Sequence, residues 1–125
     1  MPHLVLTGRI SFRDLPAMLE GHVHRWQRAV LKTEATWMRP DGSSLLAEGV
    51  VVEYSRPLHP VAIIALRGGD TVVRLWPRVE VERTEAVQRW LCLIALELQR
   101  LGVGAVTQTN IAEDLWSDLD FRALV

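Results

Sequence analysis

Apolar and polar residues change their period several times along this chain, and each change marks an element. Over residues 85–101 the period is helical. Val87, Trp90, Leu91, Ile94, Leu98 and Leu101 recur at three- and four-residue intervals, which predicts one long helix with a continuous apolar stripe. Thr84 is placed to cap its first turn, and Gly102 to end it through tolerance of left-handed backbone. Upstream the period is two. Residues 24–38 alternate, Asp41-Gly42 signals a tight turn, and residues 44–54 alternate again, so a long β-hairpin is expected. Pairing Ala29 with Tyr54 and Trp37 with Leu46 puts Ala29, Leu31, Thr33, Ala35 and Trp37 on one face with Val52, Val50 and Glu48. The other face then holds His24, Trp26, Arg28, Lys32 and Glu34, with Val51 and Glu53 across from them. A slip of one residue would exchange the two faces.

Residues 3–12 are rich in β-formers and read as a first strand, and Pro16 suits the first turn of a short helix closed near Gly21. Residues 61–66 are an uninterrupted apolar run, expected of a central strand covered on both faces. Gly68-Gly69 turns that strand into residues 71–76, and Pro77 ends the pairing. Residues 103–107 suit an edge strand. Asn110 and Glu113 have the spacing of a capping box for a short helix holding Leu115 and Trp116. The order β-α-β-β-β-β-α predicts an α+β fold. It comprises an antiparallel sheet of about five strands, one long helix on one face and a short C-terminal helix. At 125 residues the chain reads as a single domain over 1–125.

Composition narrows the class further. With 49% hydrophobic and 23% charged residues the chain can build a core, which excludes disorder. A net charge of −1 favours no strongly charged partner, although the first forty residues carry six of the fourteen basic and three of the fifteen acidic residues. Cys92 is the only cysteine, so neither an intramolecular disulfide nor a cysteine-based zinc site is expected, and a reducing cytoplasm is the expected setting. Arg9 interrupts the apolar start early, so neither a signal peptide nor a membrane span is expected.

Candidate chemistry is sparse. His22 and His24 share one side of a strand, but a metal site needs further ligands, and no metal or cofactor is expected. Ser11, Ser43, Ser44, Ser55 and Ser117 have no histidine at a readable spacing, and Gly68-Gly69 is followed by a strand rather than the helix a phosphate loop requires. Glu48 and Glu97 both fall among apolar positions. If they shared one sheet-helix layer they would be candidate catalytic carboxylates, since burial raises a carboxyl's pKa. His24, Trp26, Arg28 and Lys32, aligned on one strand face, interleave an aromatic ring with cations, as single-stranded nucleic acid requires. Glu34 and Glu53 dilute that face, so nucleic acid is not the favoured partner. Cys92, Leu93 and Leu96 extend apolar character beyond the helix stripe. With Leu115, Trp116 and Phe121 of the acidic C-terminal segment, they are the expected interface residues. The expected function is therefore a non-enzymatic binding or regulatory module working as a homodimer through protein contacts. The alternatives are a nucleic-acid-binding sheet and a cup-like ligand-binding or hydrolytic domain built on the two carboxylates.

Overall fold

In the computed structural model, residues 1–119 and 121 are described; Asp120, part of the acidic C-terminal pattern, lies outside them. The chain runs β1 (His3–Thr7), α1 (Leu15–Leu19), β2 (Val23–Trp26), β3 (Ala29–Met38), β4 (Ser44–Glu53), β5 (Arg56–Leu58), β6 (Val61–Arg67), β7 (Asp70–Leu75), α2 (Glu85–Arg100) and β8 (Val106–Thr109), then one 3-10 turn (Glu113–Leu115). The α+β class and the antiparallel sheet are as expected, but among the described residues the sheet has eight strands rather than about five. Along it the order is β2-β3-β4-β6-β7-β1-β8, with β5 pairing the far end of β4.

Two local events account for the difference around β3. The expected strand over residues 24–38 is broken at Gln27, whose φ of 53° reverses the chain and pairs Trp26 with Ala29. Then Glu34 is skipped. Ala35 to Met38 keep the expected register, with Trp37 opposite Leu46, but a β-bulge moves Ala29 from Tyr54 to Glu53. The extra residue exchanges faces, as such insertions must. Leu31 therefore faces inward with Val51, and Trp37 faces outward with Leu46 and Glu48.

The inner face is the core. Leu6, Leu31, Leu45, Ala47, Ala62, Ile64 and Val73 are at most 1% exposed beneath α2, around which the sheet curls. The Thr84 hydroxyl accepts from the Val87 N–H at 3.2 Å, and Gly102 ends the helix at φ 110°. Trp90, 1% exposed, anchors the helix to the sheet by donating from Nε1 to Thr33 Oγ1 at 3.0 Å. Its ring lies on Gly49, where a Cβ would come within 2.6 Å of two ring carbons. The other sides of α2 are covered as well, by α1, the C-terminal segment and Trp26, so Cys92, Leu96 and Leu98 are all buried. The C-terminal helix shrinks to the 3-10 turn because the Asn110 side chain is used elsewhere, accepting from the His3 N–H at 3.0 Å. Among the described residues no helix is long and apolar enough to cross a membrane.

Candidate functional site

Two surfaces concentrate the side chains that could recognise something. The first is a cleft of about 330 Å³ between edge strand β2 and the second half of α2. Alternation on β2 turns His24 and Trp26 toward the helix, opposite Leu31 and Ala29, where Leu93, Leu96 and Glu97 complete the walls. Arg89, 7% exposed, is held here by three hydrogen bonds. Its Nη1 donates to Leu115 O at 3.1 Å and to Asp118 Oδ1 at 2.5 Å, and its Nη2 donates to Asp118 Oδ2 at 3.0 Å. The guanidinium also sits 5.7 Å from the centroid of Trp26, a cation–π distance. This bidentate pair holds the Asp118 carboxyl below its usual range and ties the C-terminal segment to the helix. Trp116 adds a bond from Nε1 to Ile111 O at 3.2 Å and an edge-on contact with Phe121.

Glu97, 8% exposed, is paired with Arg100 one helical turn on. His24 faces this pair. Burial pushes its pKa below the ordinary 6.5, opposed by the nearby Glu97 carboxylate and reinforced by His22, Arg100 and Arg89. The imidazole is thus neutral at neutral pH. A depressed histidine binds its proton less readily folded than unfolded, so its contribution to stability is complete above pH 6.5 and shrinks as the pH falls through the lowered folded value. Wild-type protein should therefore lose more stability than His24→Gln between about pH 7.5 and pH 5, measured as the fall in urea midpoint. Equal falls would mean that His24 is not desolvated.

The second surface is the outer face of the sheet. Cross-strand register places Trp37, Leu46, Ile63, Arg74 and His3 along one row of this face. The next row holds Ala35, Glu48 and Val61, and Val30, Lys32, Val50 and Val52 lie beyond it. Among the described residues the apolar run at 61–66 is covered on one face only: Ala62 and Ile64 are fully buried, whereas Val61, Ile63 and Ala65 are partly exposed with no described layer above them. Trp37 is 53% exposed.

This geometry redistributes the residues singled out above. Glu48 and Glu97 lie on opposite sides of the sheet and share no cavity. His24 and Trp26 face the helix, Lys32 faces outward paired with Glu34 at 3.7 Å, and Arg28 sits in the turn, so these four form no single stacking surface. Cys92 is fully buried, with burial pushing its thiol up to about 12, and Leu96 is buried as well. Leu93 is partly exposed in the cleft. Leu115 is 3% exposed, and Trp116 and Phe121 pack against the chain's own core. Among the described residues no three of His, Cys, Asp and Glu cluster as a metal site would require. Missed from sequence were Arg89 and Asp118, which join positions 29 residues apart, and the apolar outer face, which the run at residues 61–66 does signal. No protein-family model, curated protein or solved structure matches this chain.

Proposed function

We propose that this chain is a small non-enzymatic interaction module whose working surface is the outer face of its sheet. The observation that carries the reading is the continuity of apolar side chains there. An antiparallel sheet with one solvated face ordinarily alternates apolar inward with polar outward. Here Leu46, Val50, Val52, Val61, Ile63 and Ala65 form a connected, partly exposed area with Trp37 at its margin. Contiguous apolar area of this kind marks a binding surface. The helix offers no comparable area, because Cys92 and Leu96 are already buried by the chain's own segments. An interaction module remains the favoured function, on the outer sheet face rather than on the helix.

The test is Leu46→Lys with Ile63→Lys. Neither side chain belongs to the buried core, so the double variant should keep its near-UV circular dichroism. Native wild-type protein should either associate or be retained on a phenyl resin, and the double variant should do neither. A variant that unfolds, or that associates and is retained like the wild type, would overturn the reading.

A further inference from the structure

We propose that the occupant of the outer face is a second copy of this chain, docked about a two-fold axis so that Glu48 of each copy meets Arg74 of the other. This inference rests on the reading of that face as a docking surface. It starts from two charges with no partner among the described residues. Glu48 on β4 and Arg74 on β7 are both partly exposed on the outer face, and neither side chain makes a hydrogen bond or ion pair among the described residues. Lys32 and Glu34 nearby already pair with each other.

The register fixes where the two charges stand. Glu48 is opposite Val61, and Ile63 is opposite both Leu46 and Arg74. The charges are therefore two strands and one pleat repeat apart, or about 12 Å with strands about 4.8 Å apart and alternate residues about 6.8 Å apart. The midpoint of that line falls on β6 between Val61 and Ile63. A two-fold axis lying in the interface through this point, perpendicular to the line, exchanges the two charges. Each carboxylate then faces a guanidinium, and the two β6 strands cross with Val61 and Ile63 at the centre.

The same rotation, on the same lattice, lays Trp37 over Ala65 of the second copy. There a depression of about 420 Å³ opens, lined also by Leu66, Val72 and Arg74. An isologous interface requires a surface complementary to itself. This face meets the requirement in three ways: opposite charges symmetric about an apolar centre, a projecting indole, and a hollow where the indole lands. Charge pairs of this kind set register and reject wrong partners.

The experiment compares wild type, Glu48→Arg, Arg74→Glu, the double variant and an equimolar mixture of the two single variants, by native mass spectrometry and sedimentation equilibrium. Wild type should be dimeric. Each single variant places like charges at both contacts and should weaken dimerisation by roughly a hundredfold. The double variant should recover to within about tenfold of wild type, because its pairs are merely reversed. The mixture should form a heterodimer, since one chain then carries two positive and the other two negative contact residues. Single variants as dimeric as wild type, a mixture without heterodimer, or a wild type monomeric at high micromolar concentration would each overturn the inference. A monomeric wild type still retained on phenyl resin would remove the second copy and leave the docking surface standing.

Discussion

Trp90→Ala should destabilise the domain by about 4 kcal/mol, the range for deleting a buried large aromatic. That is a large part of the roughly 5–15 kcal/mol available to a domain, and on the order of 15 °C in melting temperature. The indole fills the centre of the sheet-helix layer at 1% exposure, and its loss leaves Thr33 Oγ1, in a 5% exposed residue, without its donor. The same contact predicts the opposite kind of damage at Gly49. A methyl there would stand 2.6 Å from two carbons of the Trp90 ring, so Gly49→Ala must displace the helix or the strand, at a cost of about 2–3 kcal/mol. The two effects are coupled. In a Trp90→Leu background, Gly49→Ala should cost close to nothing, and a urea double-mutant cycle should return a coupling of about 2 kcal/mol. Additive effects would mean that the ring does not rest on that glycine.

Asp118→Ala should cost about 2 kcal/mol, more than an exposed ion pair contributes, because its effect falls on a buried partner. Removing the carboxylate leaves the Arg89 guanidinium, with a side chain only 8% exposed, charged and without its counter-ion. Arg89 would keep only its bond to Leu115 O. Arg89→Met should cost less, since it deletes the charge that needs compensation while retaining an apolar stem over Trp26. Combining Arg89→Met with Asp118→Ala should therefore be no worse than Asp118→Ala alone. Amide exchange around Leu115 and Trp116 should accelerate in Asp118→Ala, because this pair ties that segment to α2. Unchanged exchange and stability in Asp118→Ala would show that the apolar contacts of Leu115 suffice.

The helix was the most legible element, since its cap at Thr84, its stripe and its stop at Gly102 all point the same way. The hairpin was legible only near its turn. Asp41-Gly42 fixed the pairing of Trp37 with Leu46, but nothing in the sequence marks the bulge at Glu34. The turn at Gln27 was equally hidden, because glutamine has no special tolerance for positive φ and no Gly, Asn or Asp announces a reversal there. Those two silent events moved His24, Trp26, Arg28 and Lys32 off a common face. Gly49 was a usable signal, since a glycine inside an alternating strand often marks close approach of another group. The buried Arg89–Asp118 tie had no local signature. The outer face did have one. The run at residues 61–66 reads as a strand covered on both faces, and the described residues supply only one cover.

Whether a second copy supplies the other cover is tested most directly by sedimentation equilibrium of the wild-type protein from low to high micromolar concentration. A homodimer predicts a mass approaching twice the 14.1 kDa of one chain, falling toward a single chain on dilution. A mass of one chain throughout that range would contradict it.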